Sequence, residues 1–282
     1  MKYEYNYERK VEYSECDKDC KLGLLGIMNI SQDTSTTYYE KMKSDNITLR
    51  EKNNAAWVYT KIKIHIINTL KWNEKMYIKD YTTLHSKIKS LNEITIKDKN
   101  GNTLIYIEQE SCLIDLTSRK IRKLDTISYP PDIEDEKKKF EEPFERMNWK
   151  YDEYDYSYKQ LVQPSDIDFT KHTNNTMYVK YMMNSINTDF WVNKKITDFE
   201  IQFLKESREG ETLTIYRKEE NGKINFLLKR NDDEIAKGSL KYIEIKWYIL
   251  YKNSFKLVMK NSWQNIKKVY YSTRKVTIGQ KK

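Results

Sequence analysis

The chain writes one order of elements twice: a strand, a helix, then four strands. In the first copy Tyr3, Tyr5, Tyr7, Val11 and Tyr13 fall on alternate positions, the two-residue period of a strand. Residues 22–42 follow, with Leu24, Leu25, Ile27, Met28 and Ile30 and then Tyr38, Tyr39 and Met42, and read as a helix. Gly23 and Gly26 let another segment come close to its start. Runs 56–68, 76–85, 86–98 and 102–115 read as strands, and Asn100-Gly101 turns the last two into a hairpin because Asn-Gly accepts positive φ. In the second copy 149–161 reads as a strand and 175–192 as a helix, with Tyr178, Val179, Tyr181, Met182 and Ile186 near helical spacing. Runs 197–206, 211–219, 223–229 and 234–245 read as strands, with Asn221-Gly222 as a turn. Between the copies, 129–147 holds adjacent prolines, a dense run of charge and little apolar periodicity, and reads as a linker. The expectation is a duplicated α+β unit: 1–128, a linker 129–147, 148–247, and an extension 248–282. Pairing the copies hides sheet edges that one copy would leave open.

Charge narrows the partners. The net charge is +9, and the nine basic residues of 251–282, which hold no Asp or Glu, supply all of it. The body is neutral, so nothing in it points to a nucleic acid. The longest apolar stretches are too short to cross a bilayer, and no integral membrane segment or N-terminal signal is expected. Three cysteines, an odd number, fit reduced thiols in a cytoplasmic protein, and no second Cys or His pair stands at metal-ligand spacing near Cys16 and Cys20. The extension carries Phe255, Leu257, Val258, Met259 and Trp263 among lysines. It fits an amphipathic helix, a segment docked on the body, or a stretch without a role.

The most distinctive segment is DIDFTKHTNNTMYVKYMMNS, residues 166–185. Asp168 and His172 precede a helix that begins near Asn174 or Asn175, and Asn174 is a good N-cap type. The first N–H groups of a helix lack internal partners and favour negative charge, so they can stabilise an oxyanion. A histidine and a carboxylate beside them can activate water. Taken alone, such a segment is more commonly a capping loop with a solvated His.

The segment resembles the loop and helix of acyl-ACP thioesterases, with Asp168, His172, Asn174, Asn175 and Tyr178 on matching positions. Ala56-Trp57-Val58, Lys71-Trp72-Asn73-Glu74 and the run Ile114 to Lys120 resemble the family in the first half, so the likeness spans about 1–247. It implies an α+β tandem (double) hotdog fold, with two antiparallel sheets each wrapped around a long helix. It implies hydrolysis of fatty acyl-ACP to free fatty acid and holo-ACP, with acyl carrier protein as partner and no metal or cofactor. Asp168, His172 and Glu206, the last placed on the strand after the second helix, would be the catalytic set. Glu206 and His172 would deprotonate water and Asp168 would fix the His tautomer. Thr170 stands where the family has Asn. A hydroxyl is shorter than an amide and offers one donor, and losing one oxyanion donor typically costs ~100–1000-fold in rate. Asn174, Asn175 and Ser207 would meet the substrate. The acyl chain would lie in the first half, walled by 24–30, including Met28, and by 57–67, including Trp57. His65 and His85 are given no role. Thr170 favours one alternative, a weak or inactive acyl-thioester-binding module; a hotdog dehydratase fits less well. The body is expected as a monomer or a homodimer.

Overall fold

The structure is a computed structural model that describes residues 4–127, 138–150, 152 and 154–244, apart from the side chain of His85. The chain divides into two units, 1–186 with 196–242, and 187–195 with 243–282. In the second, the short helix α4 (Thr188–Asn193) is capped by Asn187, and Lys194 lies over the Phe190 ring at 4.9 Å. The extension 248–282 lies outside the described residues.

The first unit carries both copies. β1 (Glu4–Lys10), α1 (Leu24–Lys41), α2 (Asn46–Asn53), β2 (Ala55–Ile66), β3 (Lys75–His85), β4 (Lys89–Lys97), β5 (Thr103–Asp115) and β6 (Ile121–Arg122) form the first. β7 (Tyr156–Leu161), α3 (Asn175–Asn184), β8 (Lys194–Phe203), β9 (Thr212–Glu220), β10 (Lys223–Arg230) and β11 (Asp233–Glu244) form the second. Each copy keeps the strand order implied by its hairpins, and β2 pairs antiparallel with β8, so the two halves share one sheet ordered β1-β3-β4-β5-β2-β8-β11-β10-β9-β7. The seam removes two edges, and His65 Nδ1 meets Asp198 Oδ1 across it at 2.7 Å.

Sequence boundaries shift where periodicity is weak. The helix expected over 175–192 stops at Asn184, and Asn187 starts α4 by accepting from Phe190 N–H. The strand expected from 149 begins at Tyr156. α2 was not anticipated: of its residues only Leu49 is buried, which leaves no apolar stripe to read. Gly26 faces the backbone of Glu15 so closely that a Cβ would collide with that carbonyl, the close approach its glycine predicted.

α1 crosses the inner face of β1 to β5. That face is apolar at one end, where Ile64, Ile94, Ile96, Ile105 and Ile107 are fully buried. Toward the other end it turns polar: Ser35 on α1 reaches Asp80 at 3.0 Å and Gln109 at 2.5 Å, and Asn92 donates to Asp80 at 3.2 Å. The outer face holds the described part of the linker. Glu93 accepts from the N–H groups of Lys139 and Phe140, Glu200 from Glu145 N–H, and Lys63 donates to the carbonyls of Glu142 and Pro143. Buried charge on the sheet thus satisfies a strap of backbone that has no ladder of its own.

Candidate active site

The loop before α3 is a small hairpin. A 3-10 turn, Pro164–Asp166, opens it, and Asp166 accepts from Gln163 N–H at 2.8 Å and from Tyr181 Oη at 2.7 Å. Ile167 bridges Thr173, Asp168 N–H donates to the His172 carbonyl at 2.9 Å, and Lys171 turns the tip at φ +65°. Asn174 caps α3 by accepting from Thr176 N–H at 2.9 Å. Asn175 opens the helix, and no partner for its N–H occurs among the described residues.

The same hairpin stands before α1. Asp17 N–H donates to Lys21 O, Cys20 N–H to Asp17 O, Leu22 N–H to Leu70 O and Gly23 N–H to Glu15 O. Their counterparts are Asp168 to His172, Lys171 to Asp168, Thr173 to Ser207 and Asn174 to Asp166. The backbone is duplicated and the chemistry is not. Lys21 stands where the second copy has His172, and Leu70 where it has Ser207, so Thr69 falls at the place of Glu206. Of the two hairpins, only the second pairs an imidazole with a carboxylate.

That pairing is direct: His172 Nε2 lies 3.0 Å from Glu206 Oε2. Glu206 is not on a strand as expected, because β8 ends at Phe203 and the residue sits in the loop before β9. Thr173 N–H and the buried Ser207 carbonyl tie this loop to the hairpin at 2.9 Å. The Ser207 hydroxyl is fully buried, 2.7 Å from Thr173 Oγ1 and 3.0 Å from Tyr178 Oη, and Tyr178 Oη also accepts from Ser207 N–H. Ser207 therefore braces the loop from within. Arg230 donates to the Glu206 carbonyl at 3.2 Å from the other side.

Asp168 does not touch the imidazole. Its Oδ1 accepts from Thr170 N–H at 2.8 Å and from Thr170 Oγ1 at 2.5 Å, and it is Thr170 Oγ1 that stands 3.4 Å from His172 Nδ1. Thr170 has one hydroxyl hydrogen and spends it on Asp168, so its lone pair faces Nδ1, which then carries the ring hydrogen. The contact of Nε2 with a carboxylate oxygen then needs one more proton between them.

Sequence reasoning missed Arg119. It sits at positive φ on the turn after β5, which Asp115 holds by accepting from Thr117 and Ser118 N–H, and its guanidinium pairs with Glu206 Oε1. The turn was quoted for its family likeness, but its partner lies 87 residues on, beyond any local pattern. Arg50 of α2 also reaches the hairpin, at the Phe169 carbonyl. The two expected wall residues are inside the first half. Met28 is buried on α1, and Trp57 stacks on Tyr39 at 4.9 Å while donating to Ser44 O. No group of three or more potential metal ligands occurs among the described residues, and no helix there is long and apolar enough to cross a membrane.

Residues 1–128 match the family model of the acyl-ACP thioesterase N-terminal domain, and residues 150–248 that of the C-terminal domain. An acyl-ACP thioesterase from Bacteroides thetaiotaomicron superposes with a TM-score of 0.76 at 19% identity over 86% of this chain and 98% of that one. A putative oleoyl thioesterase from Lactobacillus plantarum gives 0.75 at 19% identity, over 86% and 96%. The 12:0-ACP thioesterase from Umbellularia californica gives 0.79 at 15% identity, over 86% and 98%. No curated protein matches the chain. The structural likenesses establish the α+β double hotdog, and the two domain matches, in order and covering most of the sequence, place the chain in the acyl-ACP thioesterase family.

Proposed function

We propose that His172 and Glu206 form the pair with which this chain hydrolyses fatty acyl-ACP. The observation that carries the reading is their 3.0 Å contact beside the first turn of α3. Water attacks the thioester carbonyl while Glu206 takes its proton, and the protonated imidazole returns a proton to the departing thiolate, leaving free acid and holo-ACP. The oxyanion falls to the Asn175 N–H and the positive end of α3. Asp168 and Thr170 act one step back: they set the hairpin and hold His172 Nδ1–H. Arg119, on the far oxygen of Glu206, fixes the plane of that carboxylate.

The purified chain, given acyl-ACPs of several lengths, should release acid and thiol in equal amounts. His172→Ala and Glu206→Ala should each lower kcat by about 100-fold or more, the usual share of general acid–base catalysis. Hydrolysis intact in both variants would remove the pair from the mechanism. Thr170 favours a second reading, an acyl-thioester-binding module of little turnover, because the hydroxyl hydrogen at the family's Asn position is given to Asp168. Tight binding without thiol release would select it. The free thiols of Cys16, Cys20 and Cys112 support a reducing compartment such as the cytoplasm. Because β2 and β8 already pair within one chain, a monomer is the expected species in sedimentation.

A further inference from the structure

The second half carries a pocket of about 400 Å³ where Arg146, Trp149 and Tyr154, which precede β7, meet Lys218 and Glu220 of β9 and Asn225 of β10. It stands apart from the hydrolytic pair. Glu206 lies before the start of β9, and Lys218 follows six residues after that start, about 20 Å along the strand. The walls are fixed. Glu145 accepts from Lys223 and, at 3.2 Å, from Ser239 Oγ, which ties the end of the strap to β10 and β11. Lys223 Nζ lies 4.9 Å over the Trp149 ring, whose Nε1 donates to the Phe226 carbonyl at 3.4 Å. The Tyr154 ring stands 6.0 Å from that of Tyr216. The recognition groups, by contrast, are unspent. Lys218 and Asn225 face each other across the β9–β10 ladder. Among the described residues neither the Lys218 ammonium nor the Arg146 guanidinium has an acid partner, and the Glu220 carboxylate has no cation. Asn225 is the sharpest case: its Oδ1 is buried, and no described residue donates to it. Buried polar atoms are normally satisfied, so this one marks a place where a further donor is wanted.

We propose that this pocket binds an adenine nucleotide, with 5′-AMP as the smallest complete ligand. A side-chain amide presents one donor beside one acceptor, the pattern complementary to the amino group and neighbouring ring nitrogen of adenine. The adenine amino group gives Asn225 Oδ1 a hydrogen. Guanine shows two acceptors on the same edge and leaves that oxygen unpaired. Trp149 and Tyr154 supply the aromatic surface on which a base stacks. Arg146 and Lys218 are the cations for a phosphate, and Glu220 is an acceptor for a ribose hydroxyl. The volume falls within the range of small-ligand pockets. The site stands whether or not His172 and Glu206 hydrolyse a thioester.

Equilibrium dialysis of the full-length protein against 5′-AMP, 5′-GMP, adenosine and inorganic phosphate is the test. AMP should bind with a Kd below about 1 mM and more tightly than each of the other three by about tenfold or more. Lys218→Ala should bring AMP down to the affinity of adenosine. Asn225→Leu should narrow the preference for AMP over GMP to within about twofold, and its thermal midpoint should not fall, since the change removes an unpaired buried group. A Kd for AMP above about 1 mM overturns the proposal, and so does equal affinity for AMP and GMP. Phosphate binding as tightly as AMP overturns it as well, because the base then contributes nothing. AMP binding unchanged in both folded variants places the nucleotide elsewhere on the protein and overturns this pocket. Where a variant does not fold, the four ligands on the unaltered protein decide alone.

Discussion

At residue 170 one hydroxyl stands between a carboxylate and an imidazole, 2.5 Å from Asp168 Oδ1 and 3.4 Å from His172 Nδ1. An amide at this place has two hydrogens and an oxygen, so it can keep Asp168 and still donate toward the reacting carbonyl. Thr170→Asn should therefore raise kcat by about tenfold or more, within the range one oxyanion donor supplies, with KM little changed. A lower kcat in that variant would show that the hydroxyl is already in its working geometry. Arg119 makes the complementary case. Both it and Glu206 are about two-fifths exposed, so water screens the ion pair and its share of stability is small. Its effect belongs in the rate, through the angle at which Glu206 meets His172. Arg119→Ala should cut kcat several-fold, up to about tenfold or ~1.4 kcal/mol, with Arg119→Lys recovering part of the loss and thermal stability unmoved. Equal losses in the Lys and Ala variants would argue that the planar fork is what counts.

The elements around the site hold the reacting groups at fixed distance, and the brace can be broken one atom at a time. Tyr178 on α3 receives Ser207 N–H and meets the Ser207 hydroxyl, fastening the loop that carries Glu206 to the helix whose hairpin carries His172. Tyr178→Phe removes one oxygen and leaves a buried N–H unpaired, a loss of about 1–3 kcal/mol. Chemical denaturation should show that loss, and kcat should fall further than in Arg119→Ala because both ends of the pair loosen. Much of this frame was legible in the sequence. The two-residue and helical periods located both long helices and most strands, and the run from Asp168 to Tyr178 located the hairpin. Boundaries failed for physical reasons. α2 buries a single side chain and so has no stripe. Glu206 lies three residues past the end of β8, because the strand gives way to a loop held by Ser207 and Arg230 that no period records. The duplicated hairpin of 12–23 was also hidden, since it repeats backbone hydrogen bonds and hardly any residue types.

On the scale of the molecule, buried acids stand on both faces of the sheet and shift the same way. Burial raises Glu108 and Glu200 on the outer face, where Lys138 and Lys63 offset it in part, and burial raises Asp80 on the inner face to about 7. Composition hid this: in the sequence they are three acids among the 42 of a neutral body, and only packing sets them apart. The sign follows from proton counting. From 3.8, where Asp80 ionises in the unfolded chain, to about 7, where it ionises in the fold, the folded state holds the extra proton. Its stabilising contribution is complete below that window and is lost as pH rises through it. Asp80→Asn keeps an acceptor for Asn92 and a donor for Ser35 but cannot ionise. The variant should therefore gain on the parent as pH rises, with the difference levelling off above about 7. Comparing the two proteins isolates Asp80, since Glu108 and Glu200 titrate in both. Urea midpoints at about pH 5 and about pH 8 give the check: the Asn variant should close or reverse any deficit between the first and the second. A parent that gains on the variant over that interval would mean that Asp80 is ionised within the fold.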